Sequence, residues 1–144
     1  ARVFRSEDRG VSWEVVQTPM SSGEPTKGAF SIAFGPMGEA VVVGGDYQSP
    51  DLTGGTVARS SDAGRSWALA PGSDAVGFRS GVAYLPHPEH SLWVTVGTPG
   101  SSYSVDGGRT WVGFDTTPFN AVAFATVSGW AAGPDGSVAR LSIQ

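Results

Sequence analysis

The sequence predicts an all-β chain built from an internal repeat. The pattern Ser-x-Asp-x-Gly-x-(Ser/Thr)-Trp occurs three times, at Ser6–Trp13, Ser60–Trp67 and Ser104–Trp111. The segments between these copies contain short apolar runs rich in β-branched residues, which favour strands over helices. The 21 glycines and 10 prolines among 144 residues are typical of short strands separated by turns. Repetition of one turn along the chain indicates a modular architecture.

Each copy of the pattern predicts a β-hairpin turn. The short Asp side chain can accept hydrogen bonds from backbone N–H groups two residues further on, and the Gly two positions after it supplies the positive φ of a tight turn. The Trp ring can fold back as an apolar anchor. The nine residues with this structural role are Asp8, Gly10, Trp13, Asp62, Gly64, Trp67, Asp106, Gly108 and Trp111. Because each Asp lies in its own repeat, a catalytic or metal-binding role for the three is disfavoured.

The segments between the turns predict a cycle of four strand positions, A to D. Position A is filled by 31–34, 81–84 and 121–124, and position B by 40–44, 92–97 and 130–133. Position C is filled by 2–5, 56–59, 101–103 and 137–140, and position D begins at each turn Trp. The predicted order is therefore C-D, A-B-C-D, A-B-C-D, A-B-C.

The repeated turn resembles the Asp-box, or BNR, repeat of β-propellers. Its aspartates lie 54 and 44 residues apart, close to the roughly 40 to 50 residues of one four-stranded blade. We expect one propeller segment of about three blades over 1–144, with a part-blade at 1–18, blades at 28–71 and 78–115, and a part-blade at 119–144. A two-sheet sandwich would not need the same turn at this period. Since propellers close with about four to eight blades, the chain is expected to be part of a larger propeller or to form a homo-oligomer.

The blades also resemble those of bacterial proteins related to the photosystem II assembly and stability factor, at 41–47, 78–84 and 129–136. This resemblance implies a non-enzymatic module that binds or chaperones a protein or peptide partner without a cofactor, and it favours an extracytoplasmic location. The alternative is part of a sialidase-like glycoside hydrolase. That family carries an arginine triad, a Tyr-Glu pair and a Phe-Arg-Ile-Pro motif, of which the nearest match, Phe78-Arg79-Ser80-Gly81, lacks Ile-Pro. We assign no catalytic residue.

Composition argues against several other functions. The net charge is −4 and Lys27 is the single lysine, whereas nucleic-acid binding needs clustered cations. The apolar runs fall well short of the roughly 18 residues of a membrane span, and without cysteine there is no thiol nucleophile. The string His87-Pro88-Glu89-His90 has metal-ligand residue types, but its position between strands A and B and its prolines favour a simple connector, so no metal is predicted.

Candidate binding residues lie in the longer connections, 17–27 and 46–54. Both are predicted to emerge on the face opposite the Asp turns, and loops on a rigid scaffold commonly carry binding function. Our candidates for contact with a partner are Asp46, Tyr47, Arg79 and Asn120, the last two near the starts of innermost strands. Of these, Asp46, Tyr47 and Arg79 are expected to project from the scaffold and to contribute little to folding.

Three arginines recur at one place in strand position C. These are Arg5, Arg59 and Arg140, with Tyr103 in the remaining copy. Because repetition at one strand position indicates architecture, we predict a structural role for them.

Overall fold

The chain folds into small antiparallel sheets, as predicted. A computed structural model describes residues 1–86, 91–126 and 128–142, and within them the strands form four sheets, I to IV, in chain order. Sheet I contains β1 (Arg2–Arg5) and β2 (Glu14–Gln17), and sheet II contains β3 (Lys27–Phe34), β4 (Ala40–Asp46), β5 (Val57–Ser60) and β6 (Ala68–Leu69). Sheet III contains β7 (Gly81–Pro86), β8 (Ser91–Gly97), β9 (Gly100–Ser104) and β10 (Val112–Asp115). Sheet IV contains β11 (Ala121–Ala125), β12 (Ser128–Ala132) and β13 (Val138–Ser142).

The strands follow the predicted cycle, and each pairs with its neighbour in sequence within its sheet. The strands at position D begin one residue later than predicted, at Glu14, Ala68 and Val112. Three single turns of 3₁₀ helix, Pro36–Gly38, Ser73–Ala75 and Pro134–Gly136, also occur. No helix in the described part of the chain is long and apolar enough to cross a membrane. The string 87–90 lies outside the described residues.

The three Asp turns share one hydrogen-bond network. In the third, the Ser104 hydroxyl accepts from the Gly108 N–H at 3.0 Å and donates to Asp106 at 2.8 Å. The Asp106 carboxylate accepts both the backbone N–H and the hydroxyl of Thr110, at 2.9 and 2.6 Å. The other two turns repeat these four bonds. The carboxylate therefore bonds the backbone four residues on, and not two as expected, because the hydroxyl at the first position already serves the glycine.

Glycine and tryptophan complete each turn as predicted. The glycines have φ of +87°, +80° and +76° at positions 10, 64 and 108, the left-handed region in which a Cβ is disfavoured. Each Trp folds back and donates its indole N–H to the carbonyl of that glycine, at 3.1, 3.2 and 3.1 Å in chain order. The ring bends over the turn instead of joining the strand ladder, which explains the later start of position D.

Two of the three turns are also attached to the sheet before them. Arg5 of sheet I donates its Nε–H to the carbonyl of Ala63, at 2.9 Å, in the turn of sheet II. Arg59 of sheet II donates in the same way to Gly107, at 3.1 Å, in the turn of sheet III. In both cases the acceptor is the residue directly after the turn Asp. The recurring arginines at these two positions thus connect neighbouring sheets, in agreement with a structural role.

Apolar side chains fill the space between successive sheets. We call the side of a sheet that meets the next sheet its forward face and the opposite side its backward face. The forward face of sheet II presents Val41, Val43 and Val57, which pack in one buried cluster with Val82, Trp93 and Trp111 of sheet III. Val94 and Val96 of sheet III pack in the same way against sheet IV. The first strands of sheets II, III and IV lie beside one another, with the Val82 N–H bonded to the Ser31 hydroxyl at 3.1 Å.

The lowered pKa values of the three turn carboxylates predict that the protein loses stability in acid. Hydrogen bonds from Ser12 lower the pKa of Asp8 to about 2 from its ordinary 3.8, and similar bonds from Ser66 lower the pKa of Asp62. Burial acts to raise the pKa of Asp106, but hydrogen bonds from Thr110 outweigh it and lower the value to about 2. Because the folded-state values are depressed, this stabilisation is present above about pH 4 and is lost as the pH falls towards about 2.

The measurement is urea unfolding between pH 7 and pH 2, with the triple variant Asp8→Asn, Asp62→Asn, Asp106→Asn as the comparison. We expect the wild type to lose stability steeply below about pH 4 and the variant, less stable at neutral pH, to show a flatter profile. Parallel profiles for the two proteins would contradict the account.

Candidate partner-binding site

The two long connections meet at one end of the sheets. In an antiparallel meander the A-B and C-D turns lie at one end and the B-C and D-A connections at the other, so the long connections lie opposite the Asp turns. Ser21 in the first connection bonds the second through its N–H to the Gly55 carbonyl at 3.0 Å and through its hydroxyl to Gly54 at 3.2 Å. The segment before β7 joins them, because the Phe78 N–H donates to Pro50 at 2.8 Å.

Arg79 is buried at this end of the molecule and does not project from it. Only 6% of the residue is exposed. Its guanidinium donates to the carbonyl of Phe78 and to the hydroxyl of Ser102, both at 3.0 Å, while the buried Nε–H has no partner among the described residues. Burial lowers its pKa to about 10, so the group remains charged at neutral pH. The expectation that Arg79 extends into solvent is wrong, because its backbone N–H is bonded to Gly44 and its guanidinium to Phe78 and Ser102.

A cavity of about 660 Å³ opens beside Arg79. Its polar lining includes Ser101 and Ser102 of β9 and Asp115, Thr116 and Thr117 at the end of β10. The hydroxyl and backbone N–H of Thr117 lower the pKa of Asp115. No carboxylate of the described residues forms an ion pair with Arg79. The cavity therefore contains a cation without an ion-pair partner among the described residues, together with hydroxyl groups and the carboxylate of Asp115.

Three aromatic side chains pack together at the loop end of the molecule. The Tyr47 and Phe30 rings meet edge to face with centroids 6.2 Å apart, and Phe30 meets Phe78, the neighbour of Arg79, at 5.0 Å. Tyr47 and Phe30 are both about half exposed. Phe78 is buried, so only Tyr47 and Phe30 of this cluster are open to a partner. Phe30 was missed because it is placed by a shift in the pairing register between Ala29 and Ser31, and such bulges re-aim side chains without a clear sequence signal.

Asp46 is a structural residue and not an exposed contact. It is the last residue of β4, it is buried, and its carboxylate accepts the N–H of Gln48 at 3.0 Å. Burial acts to raise its pKa, but the bonds from Gln48 and Thr26 and the attraction of Lys27 lower it overall. The prediction that Asp46 projects from the scaffold is wrong, because its side chain closes the turn that follows β4.

Asn120 lies at the start of β11, and its side chain is exposed. Its backbone N–H donates to Ala132 at 2.7 Å, and its carbonyl accepts the Ser80 hydroxyl at 2.9 Å. The backbone of Asn120 thus joins sheet III to sheet IV, and its amide group remains available to a partner. Among the described residues there is no cluster of three or more metal-ligating side chains.

Comparison with known proteins identifies no relative of this chain. No model of a protein family matches the chain, and no curated protein matches it. The functional argument therefore depends on the residues themselves.

Asp46 and Asp51 provide a matched test of these assignments. Asp46→Ala removes the acceptor that closes the turn after β4, so we expect a lower melting temperature. Asp51→Ala, in the same loop, removes an exposed side chain that has no hydrogen bond to another described residue, and it should leave the melting temperature unchanged. Equal melting temperatures for the two variants, measured by circular dichroism, would show that Asp46 has no structural role.

Proposed function

We propose that the chain is a segment of an Asp-box β-propeller that acts as a non-enzymatic binding module, similar in role to the assembly factors its blades resemble. Its ligand is an acidic group of a protein partner, received by Arg79, and the half-exposed Tyr47 at the same end of the molecule is a second contact. The observation that carries this proposal is the buried guanidinium of Arg79, which has no counter-ion among the described residues and lies beside an open cavity.

The sheet arrangement supports the propeller. Sheets II and III each have four strands in a simple meander, and the same arginine-to-turn bond attaches sheet II to sheet I and sheet III to sheet II. The first strands of three sheets lie side by side, as innermost strands do around a propeller axis. These features repeat with the sequence period, as expected for blades.

The energetics of Arg79 support a binding role. Burying a charge without a counter-ion is unfavourable, and stable folds normally pair such groups. A carboxylate entering the cavity would supply the missing charge. Charge-assisted hydrogen bonds of this kind are worth roughly 1.5–3 kcal/mol. Tyr47 adds an aromatic anchor of the type enriched at binding hot spots.

The experiment follows the Nε–Hε signal of Arg79 by NMR during titration with two peptides, a glutamate-rich peptide and its glutamine counterpart. We expect a saturable shift of this signal with the glutamate peptide alone. Arg79→Met should abolish the binding while leaving the melting temperature unchanged or raised, because it removes a buried uncompensated charge. Arg65→Met, which removes an exposed arginine of the Asp-turn end, is the control and should bind as the wild type does.

Two outcomes would overturn the proposal. An equal response to both peptides would show that Arg79 does not recognise a carboxylate. Turnover of aryl glycosides that is abolished by substitution of one carboxylate would favour the glycoside hydrolase alternative.

A further inference from the structure

The turn of sheet I lacks the contact that the other two turns make. Trp111 is 7% exposed because it packs on the forward face of sheet II, in the cluster that contains Val41 and Val57. Trp67 packs in the corresponding cluster between sheets I and II. Trp13 is 61% exposed, although its turn has the same internal hydrogen bonds. Phe4, on the backward face of sheet I, is equally open, whereas Ala58 at the equivalent place in sheet II is fully buried.

Sheet IV lacks the complementary contact. The pairing registers place Trp130 and Val138 where sheet II has Val41 and Val57. The two residues of sheet II are completely buried by the turn and strands of sheet III. Trp130 is 52% and Val138 67% exposed. The forward face of sheet IV is therefore an exposed apolar surface. In sheets II and III the corresponding face is covered by the next sheet.

The hydrogen bond between a strand arginine and the next turn is also missing at sheet IV and at the turn of sheet I. Arg140 occupies the position of Arg5 and Arg59, as its pairing with Trp130 shows, but it is exposed and donates to Ser128 of its own sheet at 3.0 Å. The matching acceptor in the turn of sheet I is the carbonyl of Arg9, which receives no backbone donor among the described residues. Arg9 has φ of +61°, nearly the +60° of Ala63, so its turn presents the carbonyl in the same way.

We propose that the forward face of sheet IV docks the backward face and turn of sheet I from a second copy of this chain. The donor and acceptor left unmatched in one copy, Arg140 and the Arg9 carbonyl, would then meet across the contact, and Trp13 would cover Val138. The contact continues the interface that joins sheets I, II and III, and it is heterologous because two different surfaces meet. Two copies joined at both ends contain eight sheets, within the range of closed propellers of about four to eight blades. This proposal rests on the contacts that repeat between neighbouring sheets and is independent of the Arg79 cavity.

Sedimentation velocity over a wide concentration range tests the contact with two variants that each block one surface. Val138→Asp blocks the forward face of sheet IV, and Phe4→Asp blocks the backward face of sheet I. We expect the wild type to self-associate and each variant to do so about tenfold or more weakly. An equimolar mixture of the variants should recover a 1:1 complex, because each protein keeps one intact surface. Leu52→Asp, in the β4–β5 loop, is the control for adding a carboxylate and should behave as the wild type does.

The mixture of variants distinguishes a contact between sheet IV and sheet I from a contact between two copies of sheet IV. Near-ultraviolet circular dichroism confirms that each variant is folded, and Val15→Asp, on the same exposed face as Phe4, replaces Phe4→Asp if that protein is not. A wild type that is monomeric at every concentration would overturn the proposal and leave this face to a sheet from another polypeptide. Loss of association with Val138→Asp alone, without recovery in the mixture, would also overturn it, because it would show that two copies of sheet IV meet each other.

Discussion

The arrangement of the sheets depends on the bond between a strand arginine and the carbonyl of the following Asp turn. The internal hydrogen bonds of the turn hold the residue after Asp in a left-handed conformation, and this conformation directs its carbonyl at the preceding sheet. The Gly of the turn then lies against that sheet, where a Cβ on Gly108 would come within 2.6 Å of a Val41 methyl. The turn is thus both a hairpin and an attachment point.

This attachment has a direction, since the arginine always belongs to one sheet and the turn to the next. Among the described residues, the turn of sheet I receives no arginine bond, and Arg140 bonds only within its own sheet. The apolar surfaces follow the same direction, because Trp111 is covered and Trp13 is open. Function is proposed at the loop end, since the Asp turns hold the sheets together and Arg79 lies at the opposite end.

The sequence predicted the features that depend on short stretches of chain. The turn chemistry at Asp8, Asp62 and Asp106 and the order of the strands are local, so the repeat revealed them. Features set by contacts between distant residues were not predicted. The burial of Arg79 results from the bond of its N–H to Gly44, and the position of Phe30 results from a register shift between β3 and β4. Asp46 was misread because its residue type suits an exposed loop as well as the closing of a turn.

The most direct test of the central claim is amide hydrogen exchange on Arg59→Met, with the exposed Arg2→Met as the control. If the arginine holds the next sheet in place, exchange should quicken at the N–H groups of Gly108 and Thr110 in the turn of sheet III, although the substitution lies in sheet II. The control should leave those amides protected. Faster exchange confined to β5 and its partners within sheet II would contradict the account.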